Sequence, residues 1–227
     1  MVRIHPHQDR CGIARALDVV GERWALLVVR ELLLGPKRFT DLRRGLPKVS
    51  AEVLAQRLRD LEQAGVVRRE ALPELAAVRV YALTPRGAAL EPVVLALGRW
   101  GSEVPLPAGA TTMSDDSYLL AIKTLFRASL NGTRSWRLGL DLAGQPFQLE
   151  IGRDGLQIRR GRAVEPDVVF SGQPAVLLDL VRHRRELDDL TQRGEVEVSG
   201  DIAIFQSFIS SFDPDPAAGP NAAGQSQ

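Results

Sequence analysis

One cysteine and three histidines are all that this 227-residue sequence has of the side chains most used for metal ligation and thiol chemistry. A lone Cys11 cannot close an intrachain disulfide, which excludes a disulfide framework. His5, His7 and His183 have no acidic or cysteine neighbours at ligand spacing, Asp188 and Asp189 are adjacent and so cannot face each other, and no Gly-rich phosphate loop is present. No enzyme, metal or cofactor is therefore expected. No stretch reaches the ~18 to 20 apolar residues of a membrane span, and the N-terminal MVRIHPHQDRCG lacks the apolar run of a secretory signal. These absences predict a cytoplasmic protein with no membrane partner.

What is present is an ordinary globular composition, 44% apolar and 25% charged, over a length that suits two modest domains. The net charge of +1 hides an asymmetry. Residues 1–104 carry 17 Lys+Arg against 12 Asp+Glu, net +5, whereas residues 105–227 carry 12 against 16, net −4. A basic front half is permissive of nucleic-acid binding, but clustering of the cations decides the matter.

In residues 11–21, CGIARALDVVG, helical spacing of Ile13, Ala16, Leu17 and Val20 ahead of Gly21 predicts a short helix. ERWALLVVRELLLG follows with little polar surface around Trp24, Leu27, Val28 and Leu32, and predicts a central helix stopped by Gly35-Pro36. RFTDLRRGLP has room for about two turns, with Thr40 as N-cap. From Ser50, a good N-cap, Leu54, Leu58 and Leu61 form one inward stripe, and Glu52, Gln56, Arg59 and Gln63 fall on the opposite side, up to a stop at Gly65. This helix is predicted to run for about four turns, roughly 24 Å. VVRREA and VRVYAL read as a hairpin looped by LPELAA, and Thr84-Pro85 opens a last helix running through RGAALEPVVLALGRWGSE. Four helices, a basic hairpin and a helix make a winged helix-turn-helix pattern, in which a polar helix face fits a major groove and the hairpin reaches the adjoining backbone or minor groove.

The run from Cys11 through VVRRE, with VRVYALTPRGAAL after it, resembles the HxlR-type transcriptional regulators, winged-helix proteins related to the MarR group. The resemblance covers roughly residues 10–103 and rests on Cys11-Gly12, Gly21 with Trp24, Arg30-Glu31-Leu32, Phe39 with Leu42, Gln56-Arg57-Leu58 and Leu83-Thr84-x-x-Gly87. It implies a homodimer paired through helices near residues 11–20 and 85–103, with two recognition helices in successive major grooves of a palindromic operator. Ser50, Gln56 and Arg57 fall on the recognition motif. The helical wheel prefers Arg59 outermost and puts Arg57 at the flank, as a phosphate contact; Gln56 suits adenine and arginine suits guanine or phosphate. Ala51-Glu52 stands where relatives commonly have Pro-Lys, so Glu52 is read as favouring the helix dipole. Arg43, Arg44 and Lys48 flank the helix as phosphate candidates, and Arg79 is the preferred wing contact over Arg68 and Arg69. Trp24 is expected in the core. Some relatives sense electrophiles or oxidants through a cysteine at this place, which makes Cys11, between Arg10 and Arg15, a candidate redox sensor.

PLPAGATTMS, residues 105–114, has a linker composition, and the character then changes. DDSYLLAIKTLFRASL reads as a helix. Glycine-separated alternating runs follow, the first with Trp136, Leu138, Leu140 and Leu142 on one face, and then strands in PDVVFSG and EVEVSG around short helices. An apolar helix, DIAIFQSFISSF, starts at Asp201. PDVVFSGQPAVLLDLV leading to GEVEVSGDIAIFQSFISSF looks like the sterol carrier protein type 2 domain, over approximately residues 115–212. That resemblance implies an apolar ligand pocket lined by Trp136, Phe170, Phe205, Phe208 and Phe212.

The expected class is α+β: a winged helix-turn-helix DNA-binding and dimerisation domain (1–104), a linker (105–114), a sterol carrier-like domain with an antiparallel-rich five-stranded sheet (115–212) and a disordered tail (213–227). The expected function is a dimeric, sequence-specific DNA-binding regulator responding to an apolar effector. A competing class is a lipid carrier or dimerisation scaffold with vestigial DNA binding, which the salt dependence of binding separates from the first.

Overall fold

The apolar spacing of the first hundred residues folds as α1 (Gly12–Val20), α2 (Ala25–Leu32), α3 (Phe39–Gly45), α4 (Ala51–Gln63), the hairpin β1 (Val67–Leu72) and β2 (Leu75–Leu83), α5 (Pro85–Ala88) and α6 (Glu91–Gly101). This computed structural model describes residues 10–72, 75–105, 113–127, 135–153 and 155–212. The chain divides into two units between Ser117 and Tyr118.

The core of the first unit gathers Ala25, Val28, Val29 and Leu32 of α2, Leu42 of α3, and Leu54, Leu58 and Leu61 of α4. The three α4 leucines are fully buried, and each contributes about 1.5–3 kcal/mol relative to exposure. Ser50 Oγ accepts the Val53 amide at 3.2 Å and starts α4 as its sequence promised. Ala64 caps the other end and Gly65 turns the chain at φ 68°, so α4 spans 13 residues, roughly 20 Å rather than 24.

Three other expectations change. α3 begins at Phe39, which packs against the core, so Arg38 and not Thr40 is the N-cap. β2 begins at Leu75, inside the expected loop, where Leu75 pairs with Leu72 across an irregularity in the register after Ala71–Arg79. The single helix expected after Thr84 is two, because Pro92 has no N–H to bond back to Ala88. Thr84 Oγ1 bonds the Gly65 carbonyl at 2.6 Å and accepts the Gly87 amide at 3.1 Å. A Cβ at Gly87 would collide with the Val66 carbonyl, which explains the Leu83-Thr84-x-x-Gly87 pattern as a joint between the wing and α5.

A charge cluster lies within this apolar unit. Glu31 in the last turn of α2 is fully buried and accepts from Arg30 at 2.7 Å, from Ser114 at 2.8 Å and from Lys37 at 2.6 Å. Lys37, itself buried, also meets Asp116 at 2.9 Å, in the geometry of an ion pair rather than a directed hydrogen bond. Burial pushes the Glu31 carboxyl upward, but the charges of Lys37 and Arg30 and the hydrogen bonds from Lys37 and Ser114 outweigh it and hold the group below its usual range. The Lys37 backbone pairs with Tyr81 of β2 through hydrogen bonds of 3.0 and 2.8 Å, adding an isolated antiparallel bridge to the hairpin.

In the second unit, β3 (Trp136–Leu142), β4 (Gln145–Gly152), β5 (Gly155–Arg160), β6 (Val168–Gly172) and β7 (Glu197–Gly200) form one sheet in the order β5-β4-β3-β6-β7. Every pairing is antiparallel except β3 with β6. Trp136, Leu138, Leu140 and Leu142 are buried together as their alternation predicts. α7 (Asp115–Leu125) begins in the first unit, and α8 (Pro174–Val181), α9 (Leu187–Gln192) and α10 (Ile202–Ile209) belong to the second. Asp201 Oδ1 caps α10 by accepting from Ala203 at 2.9 Å and Ile204 at 3.3 Å. Of the expected linker, Ser114 caps α7, accepting the Ser117 amide at 3.2 Å, and residues 106–112 lie outside the described residues. The expected tail, 213–227, lies outside them too.

Gly45 ends α3 against Glu31, and a Cβ there would collide with the carboxylate. Because both carboxylate oxygens are engaged, the side chain has no free direction in which to yield. Gly45→Ala is therefore expected to destabilise the first unit by about 1–3 kcal/mol, seen as a lower urea midpoint; an unchanged midpoint would show that the cluster gives way.

Candidate nucleic-acid interface

α4 is locked on one side by its leucines and turned outward on the other, where Glu52, Gln56, Arg59 and Gln63 are exposed. Gln56 and Arg59 are not independent there. Arg59 donates to Gln56 Oε1 at 2.6 Å, and Gln56 Nε2 donates to Asp60 at 2.7 Å. Each half of the amide thus keeps one free hydrogen-bonding position, a donor and an acceptor side by side, the arrangement that matches adenine N7 and N6.

Arg57 is placed differently from expectation. Its side chain is only 13% exposed and lies between Glu22 at 3.5 Å and Asp60 at 3.1 Å, so it ties α4 to the turn after α1 instead of presenting its guanidinium outward. The sequence reading missed Glu22 and Asp60. Asp60 had a local signal, since it stands three and four residues from Arg57 and Gln56; Glu22 had none.

Arg43, Arg44, Lys48 and Ser50 are exposed around the start of α4, Ser50 as its cap and Arg44 in an exposed pair with Asp41 at 3.1 Å. On the hairpin, the register pairs Arg69 with Tyr81 and Ala71 with Arg79, while Arg68 faces Ala82. Arg69 and Arg79 therefore share one face and Arg68 takes the other. Arg79 is exposed, the Arg69 guanidinium lies over the Tyr81 ring at 5.1 Å, and Arg68 is engaged by Glu70 at 2.8 Å and the Leu83 carbonyl at 3.0 Å. Trp24 is half-buried against the core at φ 78°, with Arg23 5.0 Å from its ring.

In the second unit the five candidate pocket residues are buried and four of them form an aromatic series. Phe170 stacks on Phe205 at 5.2 Å, Phe205 meets Phe208 at 6.0 Å, and Phe208 meets Phe212 edge-on at 5.1 Å. A cavity of about 240 Å³ lies elsewhere, lined by polar groups of His183, Arg185, Glu186 and Asp188 beside Leu180 and Ile209. None of the five candidates lines it. Among the described residues no group of three or more His, Cys, Asp or Glu side chains is placed to hold a metal ion, and no helix is long and apolar enough to cross a membrane.

A helix pair ending in a rigid amphipathic helix, followed by an arginine-bearing hairpin, defines the first unit as a winged helix-turn-helix. Residues 19–107 match the HxlR-like helix-turn-helix family and residues 126–213 the SCP-2 sterol transfer family. The chain is 39% identical over 89 residues to the HTH-type transcriptional regulator YvaP of Bacillus subtilis, covering 39% of this chain and 82% of that protein. It is 38% identical over 88 residues to the HTH-type transcriptional regulator YodB of the same organism, covering 39% of this chain and 79% of YodB. Against the solved reduced form of YodB the TM-score is 0.38 at 35% identity, with 44% of this chain and 99% of that one covered. The protein belongs to the HxlR-like helix-turn-helix family and carries a sterol carrier-type second half.

Cys11 stands exposed immediately before α1. The backbone amides of Ala14 and then Ile13 at the helix start hold its thiol below the usual range, against an opposing effect of burial. The helix start, not the expected Arg10 and Arg15, is the cause. Alkylation of Cys11 by iodoacetamide should therefore show a pH midpoint that rises when the chain is unfolded in urea. Equal midpoints in the two states would remove the helix from the explanation.

Proposed function

We propose that this protein is a dimeric, sequence-specific DNA-binding transcriptional regulator of the cytoplasm. The observation that carries the reading is the outward face of α4: Gln56 and Arg59 stand exposed on a helix held by three fully buried leucines, within a family whose named relatives are HTH-type transcriptional regulators. In this reading Gln56 meets a base edge, Arg59 a guanine or phosphate, and Arg43, Arg44, Lys48 and the wing Arg79 bind backbone phosphates.

Dimerisation is supported by an uncovered apolar surface on α1 and α6. Ile13 is 72% and Trp100 66% exposed, with Leu17, Val93 and Leu97 also exposed, and α6 buries none of its residues. Apolar surface that the rest of the unit leaves uncovered on these helices is covered most economically by the same helices of a second copy, which gives the twofold pair a palindromic site requires.

For the second unit we propose an effector role, supported by the match to the SCP-2 sterol transfer family. The buried phenylalanine series makes the interior apolar, and an apolar ligand has to displace some of those ring contacts to enter. A coupling of about 1–3 kcal/mol between ligand and operator would change occupancy several-fold to about a hundredfold. The packed rings equally support a second reading, in which this unit serves assembly alone. Operator affinity that stays constant while a lipophilic probe saturates the protein would favour that second reading.

The DNA-binding reading is tested on a duplex enriched by the protein from a random-sequence pool. Affinity should fall steeply with salt and exceed that for non-specific DNA by about a thousandfold or more. Arg59→Ala should weaken binding without lowering the melting temperature, whereas Arg57→Ala should cost stability, about 1 kcal/mol. Failure to enrich any sequence above background would contradict the proposal.

A further inference from the structure

The wing is held from outside the wing. Tyr81, two residues before the end of β2, carries the Arg69 guanidinium on its ring and is paired through its backbone to Lys37. Lys37 follows the Gly35-Pro36 stop, and its place is fixed by its ammonium, which is buried between the Glu31 and Asp116 carboxylates. Among the described residues two carboxylates, Glu31 and Asp116, face two cations, Lys37 and Arg30, and Asp116 supplies the second negative charge. Ser114 completes it by donating to Glu31 and, through the same hydroxyl, capping the first turn of α7. All of these residues belong to the first unit. Ser114 and Asp116 nevertheless lie beyond residue 107, where the match to the HxlR-like family ends.

We propose that Asp116 and Ser114 are positioning residues for the wing: they complete the charge balance that fixes Lys37, and through the Lys37–Tyr81 pairing they set where Arg69 and Arg79 stand. The proposal rests on the DNA-binding reading for its functional half and is independent of it for its structural half. Removing the Asp116 charge leaves a buried ammonium with one of its two anionic partners, and an under-compensated buried charge draws water and loosens the element that carries it. The element here is the short rung between Lys37 and Tyr81. The recognition helix α4 is seated by leucines and by Ser50, so it does not depend on the same anchor.

The test is Asp116→Asn in the full chain. Without DNA, amide exchange at Lys37 and Tyr81 should accelerate about tenfold or more, while the amides of Leu58 and Leu61 in α4 keep wild-type protection. On the duplex enriched by the wild-type protein, hydroxyl-radical protection at the wing positions should disappear and major-groove protection remain, with the salt slope smaller by about one for each phosphate the wing no longer neutralises. If Asp116→Asn does not fold, Ser114→Ala, which keeps both carboxylates and removes the hydroxyl's hydrogen bond to Glu31 together with the α7 cap, should show the same pattern at smaller size. Wild-type exchange at Lys37 and Tyr81 overturns the proposal, and so does an equal loss of wing and major-groove protection. If the wild-type protein enriches no duplex, the regulator reading fails while the exchange measurement still decides the positioning role.

Discussion

The first unit is organised around an ionised carboxylate that has no access to water. Glu31 is buried at the end of α2 and draws hydrogen bonds from three different parts of the chain, Arg30 beside it, Lys37 after the turn and Ser114 far downstream. A buried carboxylate without partners would take up a proton or break the fold; with two cations and a hydroxyl it becomes a fixed point. α3 ends on it at Gly45 and the wing is tied to it through Lys37. Leucine packing supplies most of the stabilisation of this unit, whereas the cluster supplies direction. Hydrophobic contact is tolerant of small rotations, and paired charges in an apolar setting are not.

That division of labour matters for a surface that has to match a duplex. Gln56 and Arg59 gain their position from the stripe on the far side of α4 and from their bonds to each other and to Asp60. Arg79 and Arg69 gain theirs from the ladder to which Lys37 is joined. Two supports thus hold the two parts of one candidate interface, and the Arg69–Glu62 ion pair at 3.6 Å joins the wing to α4. The exposed apolar surface of α1 and α6, on which the proposed dimer rests, draws on neither support.

The sequence makes the local features legible. Leucines at i, i+4 and i+7, a capping Ser50, the Gly65 stop and the Thr84-Pro85 start are all written within one or two turns of where they act, and α4, the hairpin and α5 lie where they indicate. The five strands and the burial of Trp136, Leu138, Leu140 and Leu142 are readable from alternation for the same reason. Non-local contacts are not readable. Nothing near Glu31 announces that Ser114, 83 residues away, completes its hydrogen bonding. Arg57 reads as a flank cation because Glu22, which turns it inward, lies outside its own helix. The phenylalanines of the second unit can be recognised as apolar and inward, yet whether such rings line a space or fill it is decided by their mutual distances, which put them in contact.

The most direct measurement of the central constraint is the titration of Glu31 itself, followed through its side-chain carboxyl ¹³C shift in the folded full chain. Burial alone drives a glutamate midpoint above its ordinary value of about 4.3, whereas Lys37, Arg30 and Ser114 acting together drive it below. A midpoint below that value is what the ion cluster requires; a midpoint above it would mean that Glu31 is a neutral buried acid and that the cluster does not hold α3 and the wing.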